Sequence, residues 1–318
     1  MRKVILDCDT GHDDAAAITL ALASESLDLL GVTTVMGNLP LWQTYRNTRD
    51  LIAHYEVDVP VLKGNAAPLV REVWVGSEDD RGSFFPDEEL KYGPEIQEDA
   101  VTWLKETLER SEEPVTLVPL APMTNIAKLM LFYPDLVDEK VDSIVCMGGG
   151  FKYGNSTGTA ELNIYADPEA AQVVFSFGKP VVMCGLDVCH NAFITQTEAK
   201  ERYSQLNSKT GKFFSRICDD CFAFDQREDL DERFKLWKRP GAIIYDTVPI
   251  VYLLHPEIFT TIGADISVEC ASETCDGMTV CSTDPWHPEK KHVHTLVLDL
   301  DRIKYLDVIE EILCNSKL

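Results

Sequence analysis

Short apolar runs alternate with helix-forming segments over roughly the first 190 residues, and this alternation constrains the fold more than any other feature of the chain. Val4-Ile5-Leu6 opens the series, followed by a carboxylate-rich turn and a helix-forming stretch at 15–22. Residues 27–35 read as a second strand that ends at Gly37-Asn38. Leu41, Tyr45, Leu51, Ile52 and Tyr55 then recur near helical spacing. A strand at 59–62, a helix at 100–108 and a strand at 115–120 follow, with a short helix at 124–131 for which Thr124 is the expected N-cap. The strand at 144–147 is stopped by Gly148-Gly149-Gly150, and 151–167 reads as polar loop. Asp167-Pro168 then begins a helix to 177, with Asp as N-cap and Pro at the first position, and 181–184 is again strand.

Strands alternating with helices in this way predict an α/β fold around an open, mainly parallel central sheet flanked by helices. Residues 195–254 read as mostly helical. Segments 267–268, 278–281 and 294–297 are weaker strand candidates, expected as antiparallel additions at one edge, and 303–313 reads as a closing helix. The 318 residues show no internal repeat and no linker-like shift in composition, so a single domain over 1–318 is expected. Residues 63–94 lack a period and hold the acidic patch Glu78-Asp79-Asp80; a loop this long is uncommon unless it is functional or mobile.

The chain carries 53 acidic against 29 basic residues, a net charge of −24. That balance argues against nucleic acid as a partner and against docking on anionic membranes. No apolar run reaches the roughly 18 residues that a membrane span needs. Asp7 interrupts the first apolar segment, so the N-terminus reads as the first strand and not as a targeting segment. The 10 cysteines are irregularly spaced, several inside apolar runs, which points to reduced thiols and a cytoplasmic location.

The run Asp7-Cys8-Asp9-Thr10-Gly11-His12-Asp13-Asp14 places four carboxylates where the first strand meets a helix. Ligands of open parallel sheets bind outside the carboxyl ends of the strands. Helix capping accounts for one or two Asp there. Four like charges call for a cation, and carboxylate and carbonyl oxygens suit a hard one such as Ca²⁺ or Mg²⁺.

This stretch resembles the N-terminal signature of the inosine-uridine-preferring nucleoside hydrolase family. The resemblance continues through Val35-Met36-Gly37-Asn38, through Leu117-Val118-Pro119-Leu120 with Thr124-Asn125-Ile126-Ala127, and through Met147-Gly148-Gly149-Gly150. It goes on through Gly154-Asn155, Ala160-Glu161-Leu162-Asn163-Ile164, Asp167-Pro168-Glu169-Ala170-Ala171 and Tyr245-Asp246, covering about residues 3–300. It implies a Rossmann-like nucleoside hydrolase fold and Ca²⁺-dependent hydrolysis of the N-glycosidic bond of a small-molecule ribonucleoside. It implies Ca²⁺ held by Asp9, Asp14, Asp246 and the backbone carbonyl of Leu120, with Asp7 in support. It implies Asp13 and Asn163 on the ribose 2′- and 3′-hydroxyls, Asn155 and Glu161 near the 5′-hydroxyl, and Asn38 near the attacking water. Attack would be direct, by a metal-bound water with Asp9 as general base. The resemblance also suggests a homo-oligomer, dimer or tetramer.

Each residue also has a plainer reading. Asn38 and Asn155 are turn residues by composition. Glu161 and Asn163 alternate on what reads as an extended segment and could face one way. His12 suits an exposed or packed helix start as well as a site.

The chain departs from the family where many members have a His before the late Asp to protonate the departing base. Here that residue is Tyr245, and a phenol with a reference pKa of about 10 donates a hydrogen bond more readily than a proton. The 76–86 loop also lacks the His found there in several relatives. Tyr245 with a neighbour, or an acid from Glu78, Asp79 or Asp80, could assist departure, as could stacking by Trp74, Phe84, Phe85 or Trp237. A better leaving group on the substrate is the third possibility. Base contacts are expected from the loop near 74–86 and from 210–240, where Phe222, Phe224, Asp225, Gln226, Arg227 and Trp237 are candidates.

Cys218 and Cys221, with Cys270, Cys275, Cys281, His287, His292 and His294, raise structural zinc, although a single CxxC is a weak signal. Two other functions compete. One is a non-catalytic ribose or calcium binder that kept the sugar pocket. The other is a haloacid-dehalogenase-like phosphatase, whose nucleophile would be Asp7 in Asp7-Cys8-Asp9-Thr10. The second lacks a convincing later Lys, and an acidic mouth suits phosphate badly.

Overall fold

The computed structural model describes residues 1–73, 75–76, 83–225, 240–284, 286 and 291–318, without the side chains of Phe224 and Asp225. The first half of the chain runs β1 (Arg2–Cys8), α1 (His12–Ala23), β2 (Leu27–Thr34), α2 (Leu41–Tyr55), β3 (Val61–Lys63), α3 (Ala100–Arg110), β4 (Val115–Pro119), α4 (Thr124–Phe132), α5 (Pro134–Lys140) and β5 (Val141–Met147). It continues through α6 (Leu162–Ala166), α7 (Pro168–Ser176), β6 (Val181–Cys184), α8 (Leu186–Cys189), α9 (Gln196–Glu198) and α10 (Lys209–Asp225). It closes with α11 (Thr247–Leu254), β7 (Phe259–Val268), β8 (Thr279–Ser282), β9 (His294–Leu300) and α12 (Arg302–Asn315).

The strands form one sheet in the order β3-β2-β1-β4-β5-β6-β9-β7-β8. The α/β class with an open, mainly parallel sheet is therefore observed. Strand order reverses between β1 and β4, so the carboxyl end of β1 opens into the crevice where such sheets bind ligands. Alternate residues of β1 serve opposite faces, as a strand's two-residue period requires. Val4, Leu6 and Cys8 join a core with α1, α2, α10, α11 and α12, while Ile5 joins a second core with α3, α4 and α7. Burial on both faces explains why the parallel strands read as continuous apolar runs. In α1, Ala15, Ala16, Ala17, Ile18 and Leu20 are fully buried, the small side chains letting the helix lie close to its neighbours.

Three local expectations are corrected, and one further helix appears. β9 was expected as an antiparallel addition. It pairs parallel with β6, Val182 opposite Thr295 and Met183 opposite Leu296, and antiparallel with β7 on its other side, so the antiparallel pairings are β9 with β7 and β7 with β8. Thr124 does not cap α4; Met123 holds the cap position, and the Thr124 hydroxyl donates to Asp167 Oδ2 at 2.6 Å. The polar loop 151–167 contains the short helix α6. Helix α5, which no apolar period announced, begins at Pro134, whose fixed φ suits a first helical position. Asp167 caps α7 as expected, accepting from the Ala170 N–H. Among the described residues no helix is long and apolar enough to cross a membrane, and all ten cysteines are free thiols.

Candidate active site

Beyond β1 the chain turns through Asp9-Thr10-Gly11 into α1, and Asp14 builds that turn. Its Oδ1 accepts from the Asp9 N–H at 3.1 Å and its Oδ2 from the Gly11 N–H at 2.9 Å. Asp13 and Asp14 sit in the first helical turn, where the helix dipole favours negative charge. Asp246 arrives at the start of α11. Carboxylate oxygens of Asp13, Asp14 and Asp246 all lie within 4.8 Å of one another.

Asp9 is fully buried beside them, and its Oδ2 accepts the backbone N–H of Asn38. Gly37 makes that approach possible, because a Cβ there would lie 2.1 Å from Asp9 Oδ2. Asn38 thus meets Asp9 through its backbone, while its side-chain amide faces the Gly11 turn. Asp9 Oδ1 and Asp246 Oδ1 are buried with no hydrogen-bond partner. Asp7 stands one layer below, Oδ1 accepting from Thr33 Oγ1 at 2.6 Å and Asn125 Nδ2 at 2.7 Å, which makes it a support of the strand end and a poor nucleophile.

Burial dominates the electrostatics. It raises the Asp9 carboxyl to about 7 against the Asn38 hydrogen bond, with Asp13 and Glu161 adding repulsion. Asp14 and Asp246 are pushed well above the usual carboxylate range by burial and by each other's neighbourhood of Asp9 and Asp13. Asp13 is raised by burial as well. Without positive charge this cluster holds protons it would otherwise lose. Oxygen donors converging on two unpartnered buried atoms fit a hard divalent cation.

Leu120 is tied to the end of β1 and to α6. It follows β4, its N–H donates to the Asp7 carbonyl at 2.8 Å, and its oxygen accepts Asn163 Nδ2 at 2.9 Å. Glu161 and Asn163 do not alternate on an extended segment. Glu161 is the N-cap of α6, its Oε1 taking the Asn163 N–H at 2.9 Å and its Oε2 the Ile164 N–H at 3.2 Å. Glu161 Oε2 also accepts the Gly149 N–H at 2.9 Å, with Gly149 at φ 75°, a conformation that favours glycine. Asn155 is exposed, and its Oδ1 accepts the Leu162 N–H at 2.9 Å. The fold therefore brings Asp9, Asp13, Asp14 and Asp246 together, and ties Asn163, Glu161 and Asn155 to Leu120 through one short helix.

Tyr245 is half-buried beside Asp246. Its phenol lies 3.3 Å from Nε2 of His190, whose Nδ1 lies 2.8 Å from the Tyr153 hydroxyl. His190 escaped the reading of the sequence; the available signal was a His just beyond the carboxyl end of a parallel strand. His12 packs edge-on against Phe84, ring centroids 5.4 Å apart, and its Nε2 lies 3.6 Å from Asp220 Oδ2 on α10. Phe85 is buried, stacked between His54 and Phe213 at 4.0 and 5.3 Å, and Phe222 is also a core residue. These two are anchors and not base contacts. Trp74, Glu78, Asp79, Asp80, Gln226, Arg227, Trp237 and His287 lie outside the described residues, as do the side chains of Phe224 and Asp225. Among the described residues the cysteines and His292 and His294 form no group able to hold a metal, and Cys218 is buried in the apolar core.

A family model described as inosine-uridine preferring nucleoside hydrolase matches residues 4–307. Pyrimidine-specific ribonucleoside hydrolases RihA from Escherichia coli O1:K1 / APEC and from Shigella flexneri are each 38% identical over 314 residues, covering 97% of this chain and 97% of the relative. A purine-preferring ribonucleoside hydrolase from Gardnerella vaginalis superposes with a TM-score of 0.82 at 27% identity, over 98% of both chains. A plant nucleoside hydrolase superposes at 0.81 and 26% identity, over 98% of this chain and 99% of that one.

Proposed function

The chain is an N-glycosyl hydrolase of the inosine-uridine preferring nucleoside hydrolase family, and on that premise we propose that it cleaves pyrimidine ribonucleosides to free base and ribose in a calcium-dependent reaction. The observation that carries the reading is the convergence of Asp9, Asp13, Asp14 and Asp246 at the switch point of the sheet, with two buried carboxylate oxygens left unpartnered. The pyrimidine class comes from the RihA relatives.

Asp9, Asp14, Asp246 and the Leu120 carbonyl would hold the ion. When bound, calcium supplies the positive charge that lets these carboxylates ionise together and that polarises nearby water. Asp9 then has a defined task. Its Oδ2 is fixed by the Asn38 N–H, so Oδ1 is the atom that takes the proton from water as the water attacks the anomeric carbon. Attack is direct, with no covalent intermediate.

The sugar becomes cationic as the base leaves, and fixed carboxylates close to it stabilise that charge more than water can. Asp13 and Asn163 engage the 2′- and 3′-hydroxyls, and Glu161 and Asn155 frame the 5′-hydroxyl. Tyr245 offers its phenol to the base.

The test is a reducing-sugar assay on uridine, cytidine, inosine and a nitrophenyl riboside, with Ca²⁺ and with chelator. Ribose release from uridine and cytidine that stops with chelator is the expected result. Release that persists in chelator overturns the calcium dependence, and release from inosine alone overturns the pyrimidine class.

A further inference from the structure

Helix α2 buries a face that is largely polar. Thr44, Asn47, Thr48 and Leu51 fall at i, i+3, i+4 and i+7, the spacing of one helical face, and none is more than 4% exposed. Burying a polar side chain costs free energy unless it is hydrogen-bonded. All three polar members are bonded, and beyond the helix they reach two strand exits. Thr44 Oγ1 donates to the Val35 carbonyl at 3.0 Å, just after β2. Asn47 Nδ2 donates to the Thr10 carbonyl at 2.9 Å, just after β1. The Thr48 hydroxyl lies 2.6 Å from the Thr10 hydroxyl and also reaches the Thr44 carbonyl at 2.8 Å. The Thr10–Thr48 contact is a hydrogen bond whichever hydroxyl donates.

The same two exits are the segments across which Asp9 meets Asn38. Asp9 is the first residue after β1, Asn38 lies three residues beyond Val35, and the Asn38 N–H donates to Asp9 Oδ2. The Asp9–Gly11 turn is held from two sides. Asp14 takes the N–H groups of Asp9 and Gly11, and α2 takes the carbonyl and the hydroxyl of Thr10 between them. Asp14 belongs to the proposed ion site, whereas the α2 side chains do not.

We infer that Thr48, with Asn47 beside it, is a positioning residue for Asp9, fixing the turn so that Asp9 Oδ1 faces the attacking water. The inference deepens the proposed function and rests on its assignment of Asp9 as general base. Both side chains act through Thr10, the residue next to Asp9. A reacting group misplaced by about 1 Å costs about 10²-fold in rate, and a hydroxyl lost one residue away from Asp9 is expected to cost part of that.

The experiment compares Thr48→Val with Thr48→Ser in the full-length, Ca²⁺-supplied protein. Valine keeps the shape and removes the hydroxyl, whereas serine keeps the hydroxyl and removes the methyl. Thr48→Val is expected to lower kcat on uridine at least about tenfold with KM within about twofold of wild type, and Thr48→Ser to stay within about threefold of the wild-type kcat. Packing alone would rank the two the other way. A nitrophenyl riboside should show the same loss in Thr48→Val, because both substrates need the same water. In the Asp9→Ala background, followed on the nitrophenyl riboside, Thr48→Val should cost no more than about twofold, since residues that act as one unit are not additive. Thr10→Val and Thr10→Ser repeat the comparison from the other hydroxyl, so the test stands even where Thr48→Val does not fold.

A loss in Thr48→Ser as large as in Thr48→Val overturns the inference, and so does a wild-type kcat in Thr48→Val. A loss that falls on KM and not on kcat, or that persists in full without the Asp9 carboxylate, overturns it too. Wild-type protein that releases ribose from neither substrate overturns the proposed function and this role with it. An active wild type beside an unaffected Thr48→Val overturns the role alone.

Discussion

The backbone N–H of Asn38 is bonded to Oδ2 of Asp9, which leaves Oδ1 as the only oxygen of that carboxylate without a partner. The strand end therefore presents one specific carboxylate oxygen, with two lone pairs, to the crevice. Asp9→Ala should reduce ribose release by about 10²–10⁴, the range for a lost general base, and should also weaken Ca²⁺ binding in calorimetry. Unchanged turnover would remove Asp9 from the mechanism. Gly37→Ala should follow the same direction, because its new Cβ would collide with Asp9 Oδ2 at 2.1 Å.

Asp246 is buried among Asp13, Asp14 and Asp9, and that crowding raises its carboxyl far above the ordinary range. Asp246→Asn removes one like charge from the cluster. The metal-free variant should melt several degrees higher than the metal-free wild type, while losing most of the rise in Tm that Ca²⁺ gives the wild type. Thermal unfolding with chelator and with Ca²⁺ reads both effects. A variant that Ca²⁺ stabilises as well as wild type would take Asp246 out of the ligand set.

Burial raises the Asp9 and Glu161 carboxyls to about 7. In the unfolded chain they titrate at about 4. The sign follows: the protonated forms suit the fold, so their contribution is full below about pH 4 and is lost as pH rises through about 7. Chelator-treated protein should lose stability between about pH 4 and 7. Added Ca²⁺ should restore more at pH 7.5 than at pH 5, because the ion competes with protons for the same oxygens. A gap between the two melting curves that does not change with pH would contradict this.

Asn163 Nδ2 donates to the Leu120 carbonyl, so one side chain joins the proposed sugar site to the backbone oxygen proposed for the ion. A site built to bind hydroxyls rejects their absence strongly, by about 10⁴ or more in favourable cases. Uridine should be cleaved at least about 10³ times faster than 2′-deoxyuridine in kcat/KM, and Asn163→Ala should narrow that ratio. Comparable rates on the two nucleosides would mean that the 2′-hydroxyl is not read.

The central sheet and the Asp7–Asp14 turn were legible because both are local in sequence: short continuous apolar runs between helix-forming segments, a glycine-marked turn and a carboxylate run. What lay beyond reach was set by distant partners. The parallel pairing of β9 with β6 depends on two residue pairs, Val182 with Thr295 and Met183 with Leu296, and nothing within 294–297 encodes it. Glu161 reads as strand by alternation, but its carboxylate caps α6, a position that Ser, Thr, Asp and Asn usually fill. His190 was invisible because Tyr153 and Tyr245, which give it direction, lie far from it in sequence. Leu120 and Asp246 were placed by resemblance alone, since a backbone carbonyl and a lone acidic residue carry no pattern of their own.

Asp14 lies in the first helical turn of the chain, and Asp246 at the start of α11, after most of the sheet has been laid down. A nascent chain leaving the ribosome offers the first three carboxylates early and the fourth only after residue 246 has emerged. An ion held as proposed, by Asp9, Asp14, Asp246 and the Leu120 carbonyl, cannot seed the fold. Under the proposed ligand set it would arrive as a lock on a nearly finished molecule, and its free energy of binding would count against global unfolding and not against the fraying of any one loop.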